Sequence, residues 1–189
     1  MKEIRWHGRG GNGAFTAAKL LGLAASVFEG KYSQAFPSFG PERRGAPVMG
    51  FNRISDDVIT DHSQVYECDC VVVLDETLCD VTDVTAGMKE HAVLVVNTQS
   101  TAEQFKKEKN LNNVKHIFTL DATGIALERL GRPIVNTVML GAALGATQLV
   151  SWEAIEKAIA DMMEGKLGEI NIDVAKTAYD AIKEVATKC

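Results

Sequence analysis

The chain has 189 residues, of which 46% are hydrophobic and 24% charged, and its net charge is −5. That is one domain's length in ordinary globular composition, which excludes a disordered chain, a collagen-like fibre and a disulfide miniprotein. The acidic balance argues against general nucleic-acid binding, which needs a basic surface, and leaves room only for a local basic site.

No apolar core follows the charges of Met1-Lys2-Glu3-Ile4-Arg5, so no secretory signal is expected there and a cytoplasmic protein is. Residues 3–7 are a strand candidate. A glycine-rich turn follows, Gly8-Arg9-Gly10-Gly11-Asn12-Gly13. From Ala14 to Phe28 apolar residues recur at three- and four-residue steps, which predicts a helix with one buried face, stopped by Gly30. Residues 31–36 and 46–54 read as extended. The loop between them holds two prolines and two glycines, which preclude a regular element.

Residues 70–74 and 92–96 are unbroken apolar runs, the pattern of parallel strands covered on both faces. Asp75-Glu76 and Asp121 stand at the carboxyl ends of strand candidates. They are read first as helix caps or first-turn acids. Ser100 or Thr101 caps a helix through Lys109, residues 114–120 form another strand, and a short helix after Asp121 is stopped by Gly131 and Pro133. Residues 133–152 lack charge but contain Asn136, Thr137, Thr147 and Gln148. They are read as a buried helix rather than a membrane span of about 20 mostly apolar residues. Asn136-Thr137 is read as its cap, and Gly141 and Gly145 suit close packing on another backbone. Helices are expected at about 136–150, 152–164 and 172–187. The fold class expected is α/β: a Rossmann-like, mostly parallel sheet with helices on both faces and a helical C-terminal segment, all within a single domain, 1–189.

Four cysteines are present, Cys68, Cys70, Cys79 and Cys189, with no CxxC pair. They read as reduced thiols, and any iron needed for redox chemistry is expected on another chain. The histidines at 7, 62, 91 and 116 show no metal-ligand spacing, and His7 is expected to be structural. Gly8, Gly10 and Gly13 match G-x-G-x-x-G between a strand and a helix. Such a loop brings backbone N–H groups and a helix N-terminus to a phosphate, or is a tight turn with no ligand. A dinucleotide would need an acid about 20 residues on, at the end of the second strand. Glu29 has that distance but lies at the helix end, so NAD is disfavoured. Arg43 and Arg44, fenced by Gly40, Pro41, Gly45 and Pro47, suit either a phosphate clamp or a docking surface.

Residues 7–13, HGRGGNG, and 34–47, QAFPSFGPERRGAP, together resemble the gamma subunit of 2-oxoacid:ferredoxin oxidoreductases, most closely those acting on pyruvate. The segments Leu74-Asp75-Glu76-Thr77-Leu78 and Asn136-Thr137-Val138-Met139-Leu140-Gly141 also fit, so the resemblance spans nearly the whole chain. One departure is Asn12, where the family commonly has glutamine, another amide. The resemblance implies a hetero-oligomer that oxidatively decarboxylates a 2-oxoacid with coenzyme A and reduces ferredoxin, or runs in reverse. Thiamine diphosphate with Mg and the iron–sulfur clusters would belong to the alpha, beta and delta subunits. This chain would bind coenzyme A and close the active site, with no catalytic side chain of its own. The site residues so implied are Gly8, Arg9, Gly10, Gly11, Asn12, Gly13, Ser38, Arg43 and Arg44. The arginines would face either coenzyme A or the alpha subunit. The alternatives are a gamma subunit for 2-oxoglutarate, indolepyruvate or a branched-chain 2-oxoacid, a purely structural docking subunit, and a free-standing dinucleotide enzyme. No membrane or nucleic-acid partner is expected. An isolated subunit would expose apolar patches able to support a homodimer.

Overall fold

The structure, a computed structural model, describes residues 1–38 and 45–188. Its strands are β1 (Lys2–Arg9), β2 (Tyr32–Pro37), β3 (Pro47–Ser55), β4 (Cys68–Val73), β5 (Met88–Asn97) and β6 (His116–Leu120), in the sheet order β2-β3-β1-β4-β5-β6. The helices are α1 (Ala14–Leu23), α2 (Ala102–Glu108), α3 (Ala122–Leu130), α4 (Asn136–Thr147), α5 (Trp152–Met162) and α6 (Gly165–Ala186). A π turn, Ala24–Phe28, extends α1, and a 3₁₀ turn, Glu76–Asp80, follows β4. Among the described residues, no helix is long and apolar enough to cross a membrane.

The sheet is mixed. β1, β4, β5 and β6 pair in parallel, whereas β3 is antiparallel to both β1 and β2. Two reversals restore direction, so β2 runs with β1 and only β3 opposes the rest. The expected mostly parallel sheet is therefore present, with one strand inserted between β1 and β2.

Alternation along the strands feeds two cores, as the side-chain period of two requires. Ile4, Trp6, Cys70, Val72 and Val95 join one face, packed against α1 and α3–α6. Val71, Val73, Leu94 and Val96 join the other, closed by Leu78 of the 3₁₀ turn and Phe105 of α2, and Cys68 joins it too because the β4–β5 register shifts between Cys68 and Cys70. Helices thus lie on both faces, most of them on the first. The alternate β1 residues Arg5 and His7 are buried on the second face. There the Arg5 guanidinium donates to the carbonyls of Val84 (3.0 Å) and Ala86 (2.5 Å).

Local signals hold where a side chain completes a helix end. Thr101 accepts from Gln104 N–H (3.3 Å) in a capping box. Asp121 accepts from Gly124 N–H at 2.7 Å, and Gly131 ends α3 in the left-handed region. Gly30, also left-handed, follows the π turn. Two expectations need correction. Asn136 is not a cap: the cap position is Val135, and Asn136 is the first helical residue. The last helix begins at Gly165, seven residues before the expected 172, so α6 runs beside α4 along its length. Thr137 donates to Asn171 at 2.7 Å and ties the two together.

Candidate functional site

The carboxyl ends of β1, β4, β5 and β6 lie side by side. From β1 the chain builds outward in both directions, to β3 and β2 on one side and to β4–β6 on the other. Crevices at such a reversal are where open α/β sheets place ligands. A cavity of about 430 Å³ lies there, lined among others by Arg9, Asn12, Asp75, Glu76, Thr98 and Asp121.

The glycine loop forms one rim. Gly10 donates to Ala46 O (2.8 Å) and accepts from Gly45 N–H (3.1 Å), so it continues the β1–β3 pairing beyond Arg9. Asn12 N–H returns to Arg9 O at 3.0 Å. Gly11 and Gly13 have φ of 97° and 82°, the left-handed region that side chains disfavour. Gly13 is the cap position of α1 and supplies no side chain to it. The first bond of α1 is Ala17 N–H to Gly13 O, 3.0 Å. The N–H groups of Ala14, Phe15 and Thr16 therefore have no intrahelical acceptor, and they stand at the positive end of the helix dipole. The Asn12 Oδ1 atom is buried with no donor among the described residues.

The other rim is acidic. Asp75 accepts from Arg9 Nε at 2.5 Å, while Arg9 Nη2 reaches Thr77 Oγ1 (2.7 Å) and Nη1 reaches Gly45 O (3.1 Å). Burial works against the Asp75 charge. The Thr77 hydroxyl, then Arg9 and the Thr77 N–H, outweigh it and hold the carboxyl below its usual range. Glu76 accepts a short hydrogen bond from the Thr98 hydroxyl. Asp121 accepts from Gln99 Nε2 at 3.0 Å besides capping α3. Asp75 and Asp121 are caps, as their positions suggested, and together with Glu76 they also line the cavity.

Of the residues singled out in the sequence, Gly8, Arg9, Gly10, Gly11, Asn12 and Gly13 are brought together here. Ser38 sits elsewhere. Its N–H donates to Met49 O (2.8 Å) and its Oγ accepts from Met49 N–H (3.2 Å), closing the β2–β3 pairing. Arg43 and Arg44 lie outside the described residues. Glu29 pairs with Lys31 (2.8 Å) and accepts from Ser151 N–H, away from the cavity lining. What sequence reasoning missed is the convergence of Glu76, Thr98 and Gln99. The only signal for it was that polar residues follow each apolar strand run.

His7 is 4% exposed, and its Nε2 has no partner among the described residues. Burial, then the Arg5 charge, push it down to about 4, with Asp83 opposing. The unfolded chain, with an ordinary histidine near about 6.5, therefore binds the proton first as pH falls. The stability contributed by the neutral ring is complete above pH ~6.5 and is lost as pH drops toward 4, by up to about 3 kcal/mol. Urea unfolding at several pH values across that window should show a smaller decline for His7→Gln than for the native chain. Equal declines would mean that His7 does not carry this dependence.

Among the described residues, the cysteines are not placed for shared ligation. Cys68 and Cys70 face opposite sides of the sheet, and burial raises both thiols. Cys79 is pushed up to about 11, mainly by burial. Cys189 lies outside the described residues.

The family model for pyruvate ferredoxin/flavodoxin oxidoreductase matches residues 3–181. The chain is 58% identical over 183 residues to the pyruvate synthase subunit PorC of Methanothermobacter marburgensis, covering 97% of this chain and 98% of the relative. It is 53% identical over 180 residues to the common gamma subunit of the pyruvate/ketoisovalerate oxidoreductases of Pyrococcus furiosus, covering 95% and 96%. The crystal structure of pyruvate oxidoreductase subunit PORC from Thermotoga maritima superposes with a TM-score of 0.82 at 41% identity, covering 95% of each chain.

Proposed function

Because this chain belongs to the pyruvate ferredoxin/flavodoxin oxidoreductase family, we propose that it works as the gamma subunit of a pyruvate:ferredoxin oxidoreductase, where it binds coenzyme A and closes the active site. It acts as one domain in the cytoplasm, assembled with alpha, beta and delta subunits. Those partners hold thiamine diphosphate with Mg and the iron–sulfur clusters, and pass electrons to ferredoxin. The opposed faces of Cys68 and Cys70 support that division, since the pair cannot meet one metal ion. Coenzyme A supplies the thiol that takes the acyl group.

The observation that carries the reading is the glycine loop with its uncapped helix. The left-handed Gly11 and Gly13 and the free N–H groups of Ala14–Thr16 fit a diphosphate, which needs donors and positive potential without side-chain bulk. The cavity beyond does not fit phosphate. Asp75, Glu76 and Asp121 line it, and Arg9 is already paired. Its acceptors suit the amide and hydroxyl donors of the uncharged pantetheine arm, which NADH lacks. The diphosphate therefore belongs on the loop and the helix end, with the pantetheine arm toward the carboxylates and the 3′-phosphate away from them.

The test is calorimetric titration of coenzyme A into the purified chain, with NADH as control, alongside the KM for coenzyme A of the assembled complex. Saturable binding of coenzyme A and none of NADH is expected. A folded chain that binds neither, together with a KM insensitive to changes in the loop, would leave a docking subunit. A second reading concerns the 2-oxoacid. The Pyrococcus furiosus relative is named as common to pyruvate and ketoisovalerate enzymes. By the same reasoning this chain serves more than one 2-oxoacid, and its partners make the choice. A substrate screen of complexes sharing this subunit checks that.

A further inference from the structure

Capping divides the helices into two groups. Thr101, Asp121 and Ser151 each cap a helix through a side chain, whereas α1, α4 and α6 begin without one and without an acid in the first turn. The starts of α4 and α6 border a second cavity, of about 550 Å³. Residues 132–136 are the wall between the two cavities. Pro133 and Val135 face the strand ends, and Arg132, Ile134 and Asn136 face the second cavity.

Three further features of this cavity converge. Arg132 and Lys166 border it and form no ion pair among the described residues, although nearby Arg129 pairs with Asp173 at 2.6 Å. Asn136 is 6% exposed. Its Oδ1 accepts from Thr137 N–H, but its Nδ2 has no acceptor among the described residues. The remaining lining is apolar, with Ile134 and Leu167 at 42% and 61% exposure. The Nδ2 is not among the buried atoms left without a partner, so it keeps contact with solvent and is open to an acceptor that enters the cavity. Two helix starts without a side-chain cap, and two cations outside any ion pair among the described residues, add positive potential over apolar walls, opposed at α6 by Glu164 in the cap position, in a volume typical of small-molecule sites.

We propose that the cavity between the starts of α4 and α6 binds an amphipathic organic anion, an aliphatic carboxylate, with its head on Arg132, Lys166 and Asn136 Nδ2 and its chain on Ile134 and Leu167. The charge pattern favours this occupant over an apolar peptide, which would leave both cations and the amide unanswered. The proposal does not depend on coenzyme A binding at the glycine loop. It does bear on that loop: a Cβ at Gly13 would lie 2.7 Å from Asn136 Nδ2, so an occupant touching this amide is one side chain away from the loop.

The probe is octanoate, titrated into the full chain and into the assembled complex, with octylamine and octanol as charge controls. Saturable octanoate binding is expected, weakened about tenfold or more in the double variant Arg132→Gln/Lys166→Gln, whose exposed side chains leave the fold intact. Ile134→Asp should also weaken binding, by an independent route. Equal binding of octylamine, or no loss in the double variant, would reduce the observation to nonspecific apolar uptake and overturn the proposal. Binding by the lone chain that vanishes in the complex would make the cavity a subunit interface and overturn it equally.

Discussion

Replacing Gly141 by alanine should lower the stability of the chain by about 3 kcal/mol, the upper end of what overpacking one methyl group costs. The added Cβ would fall 1.9 Å from the carbonyl oxygen of Ala175 and 2.7 Å from its carbon. Both are backbone atoms of α6, so no rotamer change can relieve the clash. The two helices must separate, which strains the Thr137–Asn171 hydrogen bond and opens a core in which α4 is buried on all sides. For a chain of this size the melting temperature should fall by roughly 6–12 °C. Gly145→Ala should cost less, because the contact there is 2.6 Å from Tyr179 O. Gly131→Ala is the control. Its φ is 66° and it has open space around it, so it reports backbone strain alone, about 1 kcal/mol. A Gly141→Ala melting point no lower than that of Gly131→Ala would show that helix contact is not what Gly141 provides.

Gly11→Asp should abolish most coenzyme A affinity while leaving the chain folded. A Cβ at Gly11 meets nothing within 4 Å, so the cost to the fold is confined to its φ of 97°. The carboxylate, however, would stand beside the free N–H groups at the start of α1, where a diphosphate needs positive potential. One negative charge close to another at a protein surface costs several kcal/mol before screening, which makes a loss of at least about tenfold a conservative expectation. Gly11→Asn, which tolerates the same backbone without the charge, should lose much less. Calorimetry on both variants, with far-ultraviolet circular dichroism to establish folding, separates them. Equal losses would point to backbone geometry rather than charge, and no loss in either would move the ligand off the loop.

The elements were legible where one local rule decides them. The valine run 71–73 could only be a strand covered twice, and Thr101 followed by Gln104 is a helix start by side-chain chemistry alone. The spacing of Gly141 and Gly145 announced a close backbone neighbour, though not which one. The orientation of β3 was not legible, because a period of two assigns faces and says nothing of direction. The early start of α6 was not legible, because two glycines, Gly165 and Gly168, weaken the helical pattern of its first turn. Gly168 is instead required there, since a Cβ would meet Met163 O at 2.1 Å. At the site, the glycine loop was visible as a motif. The acids were visible as strand-end residues, but their convergence with Thr98 was not, because Glu76, Thr98 and Asp121 come from three strand ends that only the sheet order makes neighbours.

The insertion of β3 beside β1 has an energetic consequence. Gly10 is hydrogen-bonded to Gly45 and Ala46, so the glycine loop and the chain entering β3 share one small piece of ladder. Anything that orders residues 45–46 from outside also removes freedom from the loop, and the reverse holds. By thermodynamic reciprocity, a subunit docking on that junction and a ligand held by the loop would raise each other's affinity by the same factor. Assembly and cofactor capture would then be two readings of one equilibrium.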